Sequence, residues 1–223
     1  MKRIGLLDSG IGGLTVLRRL RAAFPGPDMV YLGDVARVPY GGRGVDTINR
    51  YAADDVEFLL RRGVEAVVAA CGTVSSNSLD YLKEHYDLPL FGVIDSAAKK
   101  AARRTRAGAV GVIGTQATVK SGAFRRKLLE ADGSLRVISR ACPLIVPLVE
   151  NGVAPDDELA LLACGRYLEP FLAEDLLETF GPIEGAGTTE YYATERSAAF
   201  DELVRNIDPE VDPAAIRVSG INE

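Results

Sequence analysis

Short, unbroken apolar runs alternate with longer helical stretches through most of this chain, and that alternation restricts the folds open to it. Ile4–Leu7, Met29–Leu32, Ala66–Ala70 and Leu90–Ile94 read as strands, and Gly13–Ala23, Val45–Arg62, Ser76–Glu84 and Ser96–Arg106 as the helices that follow them. A second series places strands at Ala109–Ile113 and Leu135–Ser139 around a helix at Val119–Ala131. The runs are continuous rather than alternating, as expected of strands covered by helices on both faces. Strand–helix–strand succession of this kind builds parallel sheets, so the fold class is α/β. The segments Ile4-Gly5-Leu6-Leu7-Asp8-Ser9-Gly10 and Val110-Gly111-Val112-Ile113-Gly114-Thr115-Gln116 both run from a strand into a turn that opens a helix. They predict two similar parallel-sheet α/β domains facing a central cleft.

Beyond Glu150 the pattern weakens. Asp156–Phe180 reads as one or two helices, Pro182–Thr189 as a Gly-rich turn, Glu190–Ala193 as a strand, Ser197–Asn206 as a helix and Ile216–Ser219 as a last short strand. The expected organisation is a first domain made of residues 1–95 plus 190–223 and a second, shortened domain at 96–189.

Composition narrows the function classes. Hydrophobic residues make up 47% of 223, enough for a substantial core. The net charge is −5, and the only basic concentration, Lys99 to Arg106, reads as the solvated face of a helix. Phosphate binding draws on clustered Lys and Arg, so no nucleic-acid partner is expected. The cysteines Cys71, Cys142 and Cys164 have no metal-ligand spacing and stand beside a single histidine, His85, so no metal is expected. No apolar stretch approaches the roughly 20 residues of a membrane span, and a strand-like run at Ile4 leaves no room for a signal peptide. A cytoplasmic protein with reduced thiols is expected.

In open α/β sheets ligands sit beyond the carboxyl ends of the strands. Asp8-Ser9-Gly10-Ile11-Gly12-Gly13 offers a carboxylate and a hydroxyl before a helix start, fit either to receive an anion or simply to cap the helix. Pro39-Tyr40-Gly41-Gly42 is a turn carrying an aromatic hydroxyl. Cys71-Gly72-Thr73-Val74-Ser75-Ser76-Asn77 ends a strand in a thiol, followed by hydroxyls and an amide. A thiol at a helix N-terminus is expected to ionise below its usual value of about 8.5; a small buried structural cysteine is the alternative, and the dense polar run after Cys71 favours the functional reading. Gly114-Thr115-Gln116-Ala117-Thr118 places hydroxyls at the matching point of the second series. His85, near a helix end, reads as a surface or capping residue, so no Cys-His pair forms around Cys71, and Asp8 is the expected partner.

Taken in order, these segments resemble glutamate racemase, of the aspartate/glutamate racemase superfamily. The resemblance runs from Ile4 to about Pro170. It includes Leu7-Asp8-Ser9-Gly10-Ile11-Gly12-Gly13, Tyr31-Leu32-Gly33-Asp34-Val35-Ala36-Arg37-Val38-Pro39-Tyr40-Gly41, Gly111-Val112-Ile113-Gly114-Thr115-Gln116-Ala117-Thr118 and Ala141-Cys142-Pro143-Leu144-Ile145-Val146-Pro147-Leu148-Val149-Glu150. It implies a cofactor-independent isomerase that interconverts L- and D-glutamate for peptidoglycan synthesis, with two cysteines acting on opposite faces of the α-carbon. Inversion at carbon needs an acid and a base on opposite faces, each titrating near the working pH.

The resemblance implies catalytic roles for Cys71, Asp8 and Glu150. It implies that Asp8, Ser9, Pro39, Tyr40, Gly41, Gly72, Thr73 and Thr118 hold the amino acid, and it allows a homodimer. Two departures stand out. Gly72 replaces an asparagine of the family, and the Gly-Cys-Thr-His segment that carries the second cysteine is absent. Cys164 precedes Gly165-Arg166 in an expected helix, and Cys142 is expected to be structural. Racemisation is accordingly expected to be impaired. A non-catalytic carboxylate-binding relative and a one-thiol decarboxylase or isomerase remain as alternatives.

Overall fold

The computed structural model describes residues 3–172 together with strands at 189–193 and 217–218. Among the described residues the larger sheet has six strands, four from the first half of the sequence and two from its end. Its strands are β1 (Arg3–Asp8), β2 (Asp28–Gly33), β3 (Ala66–Ala69), β4 (Leu90–Gly92), β7 (Thr189–Ala193) and β8 (Arg217–Val218), ordered β4-β3-β1-β2-β7-β8. Every pairing is parallel. The second sheet, among the described residues, is the parallel pair β5 (Ala109–Gly114) and β6 (Arg136–Ala141).

The continuous apolar runs have the cause expected of them. In β1, Leu6 and Leu7 are both fully buried yet belong to different clusters. Leu6 packs with Leu14 and Leu17 of α1 (Leu14–Ala23), and Leu7 with Ile48, Val56 and Leu59 of α2 (Val45–Arg61). One such side chain contributes roughly 1.5–3 kcal/mol of burial, so an alternating strand would forfeit one of the two helical layers.

Two expected helices are each divided. The one placed at Ser76–Glu84 starts earlier and breaks at Ser78 into α3 (Gly72–Asn77) and α4 (Leu79–His85). The one placed at Val119–Ala131 becomes α6 (Gln116–Ser121) and α7 (Ala123–Ala131), divided at Gly122, whose φ of 67° suits glycine. β4 stops at Gly92, and α5 (Ile94–Arg104) begins two residues before its expected start. A short helix not anticipated, α8 (Ile145–Glu150), precedes α9 (Glu158–Leu172), which holds Cys164. The expected helix at Ser197–Asn206, most of the turn at Pro182–Thr189 and the end of Asp156–Phe180 lie outside the described residues.

The second half has its own core of Ala98, Val112, Leu128 and Leu135, but it is thinner. Ile113 is half exposed, and Leu159, Leu161 and Leu162 of α9 are more than half exposed. Among the described residues, no helix is long and apolar enough to cross a membrane.

Candidate functional site

The carboxyl ends of β1 and β3, the loop after β2 and the facing residues of the second half enclose a cavity of about 410 Å³. Every site residue singled out from the sequence lines it: Asp8, Ser9, Pro39, Tyr40, Gly41, Cys71, Gly72, Thr73, Thr118 and Glu150. Parallel pairing of β1 with β2 and β3 brings these distant segments to one edge. None of the described residues lining the cavity is Lys or Arg; what they offer anionic groups of a ligand is N–H and O–H donors.

Asp8 is 5% exposed and held by two donors. The Gly13 N–H gives a hydrogen bond of 2.7 Å to Oδ2, and the Tyr31 hydroxyl one of 3.0 Å to the same oxygen. Thus Asp8 does secure the turn into α1, and still lines the cavity. Burial and the Asp8 charge raise the Tyr31 phenol well above its ordinary value, keeping it a donor. Tyr31 was not anticipated from the sequence. The signal was present: a tyrosine inside an otherwise aliphatic, buried strand must find a partner for its hydroxyl.

The Cys71 thiol is 5% exposed and lies 3.3 Å from the Ser9 hydroxyl. The expectation of a lowered thiol pKa is corrected here. Burial first, and then the Asp8 charge, push Cys71 up to about 11, while donors at Ser9 and Val74 pull the other way. α3 is only six residues long, too short for its N-terminus to offset desolvation. At neutral pH the resting group is a thiol.

Tyr40 is fully buried, and its hydroxyl is turned away from a ligand role: it bonds to Asp34 and lies 3.1 Å from Asp55. A ligand therefore finds the backbone of this loop rather than the phenol. Gly41 lies so close to Thr115 that an added Cβ would collide with the threonine side chain.

Thr115, one of the hydroxyls that open the second series, joins the two halves. It caps α6 by accepting the Thr118 N–H at 3.2 Å, donates to the Thr118 hydroxyl at 2.9 Å, and shares a 3.0 Å bond with the Thr73 hydroxyl. The Thr-x-x-Thr spacing at the helix start is the sequence signal of that cap.

From the second half, Glu150 reaches the β1–α1 loop. It accepts a backbone hydrogen bond from Ile11 and sits where a Cβ on Gly10 would be. Burial and the Asp8 charge raise its carboxyl to about 7. An unfolded glutamate titrates near about 4.3. Between those values the folded chain holds a proton that the unfolded chain has released, so stability falls as pH rises through that window and levels off above it. The melting temperature is expected to drop from pH 5 to pH 7.5, and Glu150→Gln to remove that part of the drop. An equal drop in the variant would assign it to other groups.

Cys142 also lines the cavity, with its thiol directed at the Arg140 carbonyl at 3.6 Å. His85 lies away from the cavity, with Nδ1 2.8 Å from the Tyr81 carbonyl.

Known proteins are similar to this chain in sequence and in fold. A glutamate racemase of Aquifex aeolicus is 39% identical over 248 aligned residues, covering 95% of this chain and 96% of that protein. The aligned length exceeds the 223 residues present, so that relative carries residues without counterpart here. A glutamate racemase of Thermus thermophilus is 51% identical over 166 residues, covering 74% of this chain and 61% of that one. The crystal structure of glutamate racemase from Thermus thermophilus in complex with beta-chloro-D-alanine matches with a TM-score of 0.78 at 38% identity, over 99% of this chain and 98% of the other. The Asp/Glu/hydantoin racemase family profile matches residues 4–170, three quarters of the sequence, which is ample to decide membership. The chain belongs to the Asp/Glu/hydantoin racemase family.

Proposed function

We propose that this chain is a glutamate racemase, a cofactor-independent isomerase that moves the α-hydrogen of glutamate through Cys71 and supplies D-glutamate for peptidoglycan in the cytoplasm. The observation that carries this reading is the placement of the Cys71 thiol, the Asp8 carboxylate and the Ser9, Thr73 and Thr118 hydroxyls around one cavity in a chain of this family. A cavity of about 410 Å³ suits a small amino acid. Asp8 offers a charge to the substrate ammonium, and the hydroxyls with the backbone of Ser9, Pro39, Tyr40, Gly41 and Gly72 offer donors and acceptors to its carboxylates.

A raised thiol pKa fits a proton donor. Cys71 in its resting form protonates the α-carbanion on its face, and in the opposite direction Asp8 takes up the thiol proton before the thiolate removes the α-hydrogen. Donors fixed in advance stabilise the charge that develops on the substrate. The other face needs its own acid/base group, and the sequence lacks the family's Gly-Cys-Thr-His segment. Among the described residues of the second half, Cys142 and Glu150 are the titratable groups lining the cavity, and Glu150, near 7, is the better matched to neutral pH. A homodimer is proposed from family resemblance, with light scattering as its check.

Incubation with L-glutamate in D₂O tests the reading. The expected product is α-deuterated D-glutamate, formed slowly because the second thiol is lacking. Deuterium entering L-glutamate without inversion would favour a one-thiol enzyme acting on a single face. Absence of both exchange and inversion, with glutamate still raising the melting temperature, would leave the non-catalytic carboxylate-binding reading in its place.

A further inference from the structure

The apolar stripe of α2 contains one carboxyl. Asp55 is fully buried alongside Ile48, Ala52, Val56 and Leu59, where a lone charge would be costly. It belongs to a cluster beneath the cavity floor. Arg37 donates from Nε to Asp34 Oδ2, from one terminal nitrogen to Asp54 at 2.7 Å and from the other to Asp55 Oδ1 at 3.0 Å. The Arg37 guanidinium stacks 4.2 Å from the centre of the Tyr51 ring. The Tyr40 hydroxyl lies against both Asp34 Oδ2 and Asp55 Oδ2.

Counting protons exposes a shortage. The Tyr40 hydroxyl has one hydrogen and faces two carboxyl oxygens, so one contact needs a second hydrogen. Asp34 Oδ2 already receives Arg37 Nε and serves as an acceptor twice over. Asp55 divides its oxygens: Oδ1 accepts from Arg37, and among the described residues the partner of Oδ2 is the Tyr40 hydroxyl. The missing hydrogen therefore belongs on Asp55 Oδ2, which donates to Tyr40, which in turn donates to Asp34. One guanidinium is then balanced in the core by Asp34, and the remaining negative charge sits on the half-exposed Asp54. The direction of the Asp55 titration agrees: burial, and next the Asp34 charge, raise it well above the ordinary carboxyl value.

We propose that Asp55 is a neutral carboxylic acid at neutral pH and that, by donating to the Tyr40 hydroxyl, it fixes the loop at residues 39–41 against which the substrate lies. It is a positioning residue, since it touches no substrate. The claim about the loop rests on the racemase reading; the claim about the proton does not. The Asp55→Asn variant keeps a donor toward Tyr40 and an acceptor toward Arg37, whereas Asp55→Ala removes both.

Infrared spectroscopy at about pH 7, in a Glu150→Gln background that removes the other raised carboxyl lining the cavity, is expected to show the carbonyl stretch of a buried carboxylic acid. That band is expected to be missing once Asp55→Asn is added. In glutamate turnover, Asp55→Asn is expected to retain KM within about twofold, and Asp55→Ala to raise KM about tenfold with a smaller change in kcat. Absence of the band at neutral pH while Asp55 is present overturns the proton assignment, as does its survival when Asp55→Asn is added. An Asp55→Asn variant with KM raised about tenfold overturns the positioning role, because an amide would then fail to replace the acid. If the wild-type chain turns over no glutamate, the racemase reading falls, and the infrared band still decides the state of Asp55.

Discussion

Replacing Cys71 with alanine is expected to slow α-hydrogen exchange of glutamate in D₂O by about 10³-fold, the contribution of a well-placed acid/base group. The same change removes one buried sulfur and leaves a small void, costing only about 1 kcal/mol of stability. Cys71→Ser is expected to preserve the contact with the Ser9 hydroxyl and still lose exchange, because an alcohol gives up its proton far less readily than a thiol. The pair of variants separates chemistry from packing. NMR of the α-proton reads the rate, and thermal melts read the fold. Exchange in Cys71→Ala within tenfold of the parent chain would remove the sulfur from the mechanism.

Asp8 is expected to be costly in both respects. Asp8→Ala strips the acceptor from the buried Gly13 N–H and one of the two acceptors of the Tyr31 hydroxyl, which also lies 3.0 Å from the Gly10 carbonyl. Stranding the Gly13 donor costs about 1–3 kcal/mol, with exchange falling by about 10² or more. Asp8→Asn keeps an acceptor for Gly13 and lets Tyr31 turn to Gly10. Its stability loss is expected to stay below about 1 kcal/mol while exchange falls about as far as in Asp8→Ala. Denaturant unfolding with the D₂O assay checks both. An Asp8→Asn variant that exchanges at the parental rate would show that the negative charge at Asp8 is not used.

The strands were legible because burial on both faces writes itself into sequence as unbroken aliphatic runs, as at Leu6 and Leu7. Helix interruptions were less so: Ser78 and Gly122 each sit inside a periodic stretch, and nothing local shows that the next turn must change direction. Asp8, Ser9, Cys71 and Thr118 could be picked out because they stand where strands run into helices, whereas Glu150, at the end of a helix, was reached only through the family resemblance. What these residues contact was not legible. Cys71 precedes a helix, which suggested an easily ionised thiol; its burial and the charge of Asp8 reverse that, and both depend on neighbouring strands. Asp55 illustrates the same limit, since in sequence it is one more acid on α2, and only the packing of that helix beneath the loop brings it to Tyr40 and Arg37.

The pairing of β2 also bears on how the molecule is made. Asp28–Gly33 has β1 on one flank and Thr189–Ala193 on the other. On the ribosome the first flank is filled at once, while the second stays bare until the distant Thr189–Ala193 segment has emerged. Throughout that interval a tyrosine- and leucine-bearing strand offers unpaired backbone to any stray extended segment, its own or a neighbour's. Biosynthesis of this chain is therefore expected to depend on chaperones that shield the growing molecule until its late strands arrive.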